Sequence, residues 1–347
     1  MNFGKLVGFV ALVFSLFIIW QMRQLLLLLF TAVVLGIALN ILVKRLQTRG
    51  IKRSYAVSLS IVSLLILLGS SFLLILPSLA DQFEQLVELV PKGIDLLLSS
   101  LKALKNNLSP DLAESLPDIE ELVKQLQPVI NSLLGRGLSF FYVSLGSIFS
   151  LLLLFVLTLM LLGDPLPYYQ GFIRLFPAFY RRRAKEILVM CEQSLEGWLI
   201  SIFLNMIILG VMSFFGLLIL GVPLAFAQAV LTGIFNFIPN IGPILSLISP
   251  MAIALLQEPW KPLAVLFLYI IIQQLEGHFL TPLAMSNQTT LLPPFTLIAQ
   301  IFFASFFGFL GLFLAIPLTI VGTIWVREVL IKDVLDQWEI PTKDCQS

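Results

Sequence analysis

The stretch Asn236-Phe237-Ile238-Pro239-Asn240-Ile241-Gly242-Pro243 interrupts an otherwise apolar run that extends from Pro223 to Leu256. A run this apolar is typical of a membrane-embedded segment, and a continuous helix is the usual way to cross lipid. Proline removes a backbone donor and clashes with the preceding turn, so Pro239 and Pro243 argue against one unbroken helix. Broken backbone at membrane depth persists only where it is buried in protein or faces a watery cavity. The stretch is therefore the first candidate for a transport site.

The composition indicates an all-α polytopic membrane protein. Of 347 residues, 59% are hydrophobic and 12% are charged, whereas ordinary soluble proteins are about 25% charged. The formal net charge of +1 provides no basic field, so no nucleic-acid partner is expected. Two distant cysteines and a single histidine predict no metal site, disulfide framework or other cofactor.

Residues 1–77 are predicted to form three transmembrane helices, at about Gly4–Trp20, Leu25–Val43 and Tyr55–Leu76. The connection between the second and third helices holds five cations and no acid, which predicts a cytoplasmic location. The cations are Lys44, Arg45, Arg49, Lys52 and Arg53.

Residues 78–137 change character, with apolar positions at helical spacing and nine acids against five bases. This pattern predicts an amphipathic helical domain, and the order of the spans places it outside the cytoplasm. Two interpretations remain open. The helices pack on one another or on sister subunits, or they form a lid or vestibule over a pathway.

The remaining segments are predicted to alternate in the same way. Residues 138–163 form a fourth span, 164–197 a basic cytoplasmic loop, 198–326 a C-terminal transmembrane domain and 327–347 a cytoplasmic tail. The loop carries the triplet Arg181, Arg182 and Arg183. The total is about eight transmembrane helices with broken or re-entrant segments, and both termini are cytoplasmic.

Two apolar runs in the C-terminal half are longer than one span. Leu224–Leu256 contains the break described above, and Pro294–Val326 is interrupted by Gly and Pro residues, namely Gly308, Gly311 and Pro317. A pair of interrupted segments is a recognised pointer to a transporter binding site. The second set is either a hinge or an allowance for close helix packing.

Polar side chains near the breaks are candidates for a substrate pathway. Glu276 ends a membrane run, where carboxylates tend to face a cavity or a partner, and His278 follows two residues later. The alternative is an ordinary polar helix end. Asn236 and Asn240 either bind polar solute groups or satisfy backbone atoms left open by the prolines. The candidate pathway residues are Asn236, Pro239, Asn240, Gly242, Pro243, Gln274, Glu276 and His278.

No catalytic motif is present. The sequence lacks His-Glu-x-x-His, Gly-x-Ser-x-Gly and a phosphate-binding glycine loop with lysine. An enzyme is therefore not expected, and any uphill transport would have to use an ion gradient.

The C-terminal motifs resemble those of the autoinducer-2 exporter family of membrane permeases. They are Phe237–Pro243, Gln274-Leu275-Glu276 followed by Pro282, Leu292-Pro293, and Phe307–Leu318. The resemblance implies about eight membrane helices and export of small molecules, including a signalling molecule in some members. It also implies sodium/proton antiport in other members, and a pentameric homo-oligomer with transport within each protomer.

Three functions follow as hypotheses. The first is a secondary-active exporter of a small polar or organic solute, in contact with membrane lipid and located in the bacterial inner membrane. The second is a sodium (cation)/proton antiporter. The third is a non-transporting membrane scaffold that binds partners through residues 78–137.

Overall fold

The computed structural model describes residues 20–66, 147–258, 260–280 and 293–335, together with Phe14, Phe17, Ile18 and Gly69. All regular structure within these residues is helical. The chain divides into two compact units. The first contains residues 1–64, 150–203 and 282–347, and the second contains residues 65–149 and 204–281.

The first unit begins with a helix that is long enough to cross a bilayer. Helix α1, Arg23–Gln47, has 25 residues, which corresponds to about 37 Å against a hydrocarbon core of about 30 Å. Gly50, with φ of 87°, turns the chain into α2, Arg53–Ile66. Leu39, Val43 and Ala56 pack with Leu162 in the core of this unit.

The chain bends sharply after the next apolar helix. Helix α3, Ser147–Gly163, is followed by α4, Leu166–Arg174, and the two axes differ by 94° across the break. Pro165 lies at this break, and a proline before the first turn of a helix needs no backbone donor. The short helix α4 therefore runs across the direction of the span that precedes it.

Helix α5, Arg181–Ile219, is a single helix of 39 residues. It belongs to the first unit up to Phe203 and to the second unit from Leu204. Residues 164–197 were predicted as a loop from their charges, but most of them are helical, in α4 and in the first part of α5. Charged residues are compatible with a helix that continues beyond the membrane, since α5 is about 58 Å long.

The second unit contains the interrupted apolar run Leu224–Leu256. Helix α6, Ala225–Phe235, ends before the turn 236–240, and α7, Ile241–Gln257, follows it. The two helices pack on each other, and α7 also packs on α8, Lys261–Leu275. The backbone continues from α8 into a π-helical turn, Glu276–Leu280.

Small residues permit close helix contact in the second unit. Gly210 on α5 faces Gly233 on α6. A Cβ added to either glycine would lie 3.9 Å from the Cα of the other. A Cβ at Gly233 would also lie 2.9 Å from the carbonyl oxygen of Met206. In lipid, where apolar burial drives little helix association, such close backbone packing is a main source of stability.

The last described helix of the first unit, α9, extends over Pro293–Trp325 and is kinked at Gly308, where φ is 66° and ψ is −147°. The prediction that Pro317 also interrupts this run is wrong, because Pro317 lies inside the helix and is buried. A π-helical segment, Val326–Leu335, continues the helix.

Among the described residues, three helices are long and apolar enough to cross a membrane, or four if α3 and α4 form one bent span. These are α1, α5 and the helix that extends over Pro294–Leu335. The predicted total of about eight stays a prediction. The first predicted span, residues 78–137 and the end of the tail lie largely or wholly outside the described residues.

Candidate functional site

The turn between α6 and α7 closes with its own backbone hydrogen bonds. The amide nitrogens of Phe237 and Ile238 donate to the carbonyl oxygens of Ile234 and Phe235, at 3.1 and 3.0 Å. Asn240 has φ of 67° and ψ of −44°, and across it the Ile241 amide donates to the carbonyl oxygen of Pro239 at 2.8 Å, as in a γ-turn. The backbone groups that the break would otherwise expose are thus partly satisfied inside the hairpin.

Gly242 is required by the geometry of this hairpin. Its amide donates to the carbonyl oxygen of Ile238 at 2.8 Å. A Cβ at this position would lie 1.9 Å from the carbonyl oxygen of Phe235, far inside van der Waals contact. The first turn of α7 therefore lies directly against the end of α6.

Neutral polar side chains are buried in the second unit beside this hairpin. Gln228 and Thr232 lie one turn apart on α6, and both are buried, as are Ser213 on α5 and Tyr269 on α8. The Thr232 hydroxyl donates to the carbonyl oxygen of Gln228 at 2.9 Å and lies 2.8 Å from the Tyr269 hydroxyl. Since Thr232 uses its only hydrogen on Gln228, Tyr269 is the donor in the second bond.

Tyr269 also interacts with the side chain of Ser213. Hydroxyl groups thus join α6 to α8 inside an apolar bundle, whereas Ser213 Oγ on α5 makes no hydrogen bond to any described residue. Polar groups at such positions are costly and usually carry function or specific packing. We call Ser213, Gln228, Thr232, Asn236 and Tyr269 the buried polar cluster.

Asn236 brings this cluster to the carboxylate of Glu276. The side chain of Asn236 is buried and interacts with Glu276, as does that of Gln273. The Nδ2 atom of Asn236 makes no ordinary hydrogen bond to any described residue. The contact with the carboxylate is therefore looser than a hydrogen bond, which leaves donor capacity at this position.

A cleft of about 420 Å³ lies next to the turn, entirely within the second unit. Its polar lining comes from the hairpin and from α8, and its other walls are apolar. The polar residues are Asn240, Tyr269, Gln273 and Gln274, and Pro243 also lines the cleft. Tyr269 therefore belongs both to the cleft and to the buried polar cluster.

The structure brings most of the predicted pathway residues into one region. Asn240, Pro243 and Gln274 line the cleft, while Asn236 and Glu276 interact with each other. Gly242 and Pro239 shape the turn through backbone geometry. His278 is exposed, and its Nδ1 lies 2.9 Å from the carbonyl oxygen of Gln274. Gly308, Gly311 and Pro317 lie in α9, in the other unit.

The basic residues predicted to report topology fall into two groups in the first unit. Arg45, Arg49, Lys52 and Arg53 are exposed, and Lys44 forms an ion pair with Glu196 at 2.9 Å. Arg181 and Arg182 are exposed as well. Arg183 instead takes part in a network of ion pairs that sequence reasoning missed.

Glu328 is the centre of this network and is only 1% exposed. Its carboxylate lies 2.9 Å from Arg183 and 2.8 Å from Lys332, with Arg327 at 3.2 Å. Asp333 lies 3.2 Å from Arg183 and accepts a hydrogen bond of 2.7 Å from Tyr180. We call these six residues the charged cluster. It joins the start of α5 to the π-helical segment after α9.

Tyr180 acts as a donor in this cluster over the physiological pH range. Burial of the hydroxyl, together with its hydrogen bond to Asp333, raises the pKa of Tyr180 to about 12. The proton therefore stays on the tyrosine, and the carboxylate of Asp333 is its acceptor.

Buried polar side chains, a broken helix and a cleft with a few polar side chains among apolar helices are features of α-helical membrane transport proteins. The model of the AI-2E transporter family matches residues 9–331, and the chain belongs to this family. A role in membrane transport follows, because the family is one of transporters.

Three relatives illustrate the extent of the similarity. "Putative transport protein YhhT" of Escherichia coli is 27% identical over 88% of this chain and 83% of its own length. "Putative permease PerM" of the same species is 28% identical over 89% of this chain and 86% of its length. "Putative transport protein YueF" of Bacillus subtilis is 30% identical, over 42% of this chain and 39% of that protein.

Proposed function

We propose that the protein is a secondary-active exporter of a small polar or organic solute, in which the solute passes beside the α6–α7 hairpin. One observation carries this proposal. The buried polar cluster, the Asn236–Glu276 contact and the polar side of the cleft adjoin one another in the second unit. Thr232 and Tyr269 bond each other, whereas Ser213 Oγ and Asn236 Nδ2 make no hydrogen bond to a described residue. Such neutral groups can form hydrogen bonds with a polar solute without the cost of burying a charge.

Glu276 is the charged residue of this region and the natural target of a test. We would reconstitute the protein into proteoliposomes and follow transport of autoinducer-2, the signalling solute implied by the family, under an imposed proton or sodium gradient. The Glu276→Gln variant keeps the shape and removes the charge, so we expect at least a tenfold lower initial rate. Glu258→Gln, in the connector between α7 and α8, makes the same chemical change at an exposed site and serves as the control.

Equal rates for wild type and Glu276→Gln, at equal amounts of inserted protein, would remove Glu276 from the mechanism. A rate reduced equally in both variants would show that the loss follows from charge in general. If autoinducer-2 is not moved by wild-type protein under either gradient, export of this solute is excluded.

A sodium/proton antiporter is the second candidate, because Glu276 provides a titratable carboxylate beside polar side chains. A pH-sensitive dye enclosed in the same proteoliposomes would report proton movement after addition of sodium chloride. Antiport predicts a sodium-dependent pH change that the Glu276→Gln variant lacks, whereas solute export predicts none without the solute.

We also propose a bacterial inner-membrane location with both termini in the cytoplasm. The Lys44–Glu196 ion pair supports this topology, because it holds the end of α1 close to α5 in the first unit. The two basic segments can then share the cytoplasmic side. Labelling of Arg49→Cys and Arg182→Cys by an impermeant maleimide in intact and opened cells would test it, since both should react only after opening.

A homo-oligomer is proposed from the family resemblance alone. Mass measurement of the detergent-purified protein by light scattering would distinguish the implied pentamer from smaller assemblies.

A further inference from the structure

The segment from Leu166 to Arg182 has a direction that differs from that of its neighbouring span. Helix α4 turns away from α3 by 94°. If α3 crosses the membrane, α4 lies close to the membrane plane. Helices in that orientation commonly sit at the boundary between headgroups and acyl chains.

The segment exposes large apolar side chains that nothing in its own unit covers among the described residues. Leu166 is 63% exposed, Phe172 44%, Leu175 78% and Phe179 87%. They lie on and just after α4, which has 9 residues and is too short to cross a membrane by itself. Exposed apolar patches of this kind mark sites of interaction with a membrane or with another protein.

The same segment is strongly basic. No acidic residue occurs between Pro165 and Lys185, whereas Arg174, Arg181 and Arg182 are all exposed. The side chain of Arg182 is 94% exposed, although it lies 3.5 Å from Glu186. Guanidinium groups beside exposed apolar side chains complement a surface that presents phosphate above hydrocarbon.

The opposite side of the segment is fixed to the protein. Ile173 is buried, and the ring of Phe176 stacks on that of Trp325 at 5.7 Å with an interplanar angle of 16°. Tyr180 donates to Asp333. These contacts with α9 and with the π-helical segment after it fix the position of the exposed apolar and basic side chains.

We propose that residues 166–182 form a docking surface for the anionic phospholipid headgroups of one leaflet. The apolar side chains enter the boundary of the acyl chains, and Arg174, Arg181 and Arg182 bind the phosphates. This surface is separate from the cleft of the second unit, so the proposal does not depend on the transported solute.

The first test counts bound lipid. Wild-type protein and two triple variants would be purified in the same detergent after exposure to phosphatidylglycerol, and native mass spectrometry would give the number of lipids retained. We expect R174Q/R181Q/R182Q to retain at least threefold less phosphatidylglycerol. The control R45Q/R49Q/R53Q removes three exposed charges from the other basic segment and should retain nearly the wild-type amount.

Equal losses in the two variants would show general electrostatic attraction and overturn the proposed site, as would full retention in both. Phosphatidylcholine in place of phosphatidylglycerol should be retained equally by all three proteins. If R174Q/R181Q/R182Q prefers phosphatidylglycerol over phosphatidylcholine as strongly as wild type does, the proposal is contradicted.

The second test does not depend on the arginines and keeps the proposal falsifiable if the triple variant fails to fold. In a background with Cys191→Ala and Cys345→Ala, a nitroxide would be placed at Leu175→Cys or Phe179→Cys in nanodiscs of phosphatidylcholine and phosphatidylglycerol. We expect higher accessibility to oxygen than to a water-soluble nickel chelate. A label at Gln193→Cys, an exposed position on α5, is the control for a label outside the docking surface.

Preferential nickel accessibility at Leu175 and Phe179 would place the segment in water and overturn the proposal. Low nickel accessibility that depends on protein concentration and persists without phosphatidylglycerol would show that a second copy of the chain covers the surface. That result would also overturn the proposal.

Discussion

The two clusters of polar side chains differ in how they handle charge. The buried polar cluster of the second unit consists of hydroxyls and amides, joined by hydrogen bonds such as that of 2.8 Å between Thr232 and Tyr269. The charged cluster of the first unit places Glu328, which is 1% exposed, among Arg183, Arg327 and Lys332. The buried polar cluster contains no charged side chain, whereas the charged cluster places opposite charges next to each other.

This difference follows from the free energy of burial. An ion pair loses the solvation of two charges when it is buried, and only close geometry with several partners offsets the loss. A hydroxyl or amide needs just one or two hydrogen bonds to remain inside an apolar bundle. The buried polar cluster is therefore suited to the proposed contact with a solute, whereas the charged cluster pairs Arg183 at the start of α5 with Glu328 and Asp333 after α9.

The largest effect is expected when the backbone packing beside the buried polar cluster is disturbed. Gly242→Ala places a Cβ 1.9 Å from the carbonyl oxygen of Phe235, so the hairpin has to open. We expect a loss of about 3 kcal/mol in the free energy of unfolding, measured by denaturant titration in detergent micelles. Gly322→Ala is the control, because a Cβ there meets no described atom within 4 Å. Similar unfolding curves for the two variants would contradict the close packing of α6 and α7.

The charged cluster should show the next largest effect. Arg183→Met removes a partner of the buried Glu328 and of Asp333. Complete loss of a partner in a buried pair costs about 3–5 kcal/mol, but Arg183 is 28% exposed and Lys332 remains, so we expect about 2 kcal/mol. The neighbouring Arg182→Met, at a side chain that is 94% exposed, should change the unfolding free energy by less than about 0.5 kcal/mol.

A double-mutant cycle sharpens this second prediction. Arg183→Met combined with Glu328→Met removes both charges of the pair, and the combined loss should be smaller than the sum of the two single losses. Strict additivity would show that the contact of 2.9 Å contributes no coupling, and the contrast with the neutral cluster would then disappear.

The neutral cluster itself should give the smallest effect. Tyr269→Phe removes the hydroxyl that donates to Thr232, while Thr232 keeps its bond to the carbonyl oxygen of Gln228. Single hydrogen bonds between helices in membranes contribute about 0.6 kcal/mol, and we expect a loss of about 1 kcal/mol or less. Tyr55→Phe, at a residue that is 70% exposed, should have no measurable effect. A loss as large as that of Arg183→Met would show that the neutral cluster is as rigid as the charged one.

The hairpin was predictable because its signal is local. Pro239, Asn240 and Gly242 lie within four positions of one another, and each has a backbone consequence that does not depend on the rest of the fold. The break in Pro294–Val326 was predictable at Gly308 for the same reason. Pro317 shows the limit of this approach, because a proline can remain in a buried membrane helix when neighbouring groups satisfy the backbone.

The charged cluster could not have been predicted from local patterns. Arg183 and Glu328 are 145 residues apart along the chain, and Arg183 has the same sequence surroundings as Arg182, which is exposed. The contact of Thr232 with Tyr269 connects residues 37 apart. A signal did exist for α6, since Gln228 and Thr232 are polar residues one helical turn apart in an apolar run. Their partners on other helices depend on tertiary packing alone.

Gly308 has a consequence that concerns handedness. Its φ of 66° and ψ of −147° are the mirror image of the polyproline II conformation that L-residues adopt freely. A D-amino acid would be relaxed at this position, whereas every genetically encoded residue with a side chain would be strained there. The kink in α9 therefore depends on the one encoded amino acid that has no handedness, and space for a side chain, which is available at this site, does not relieve that requirement.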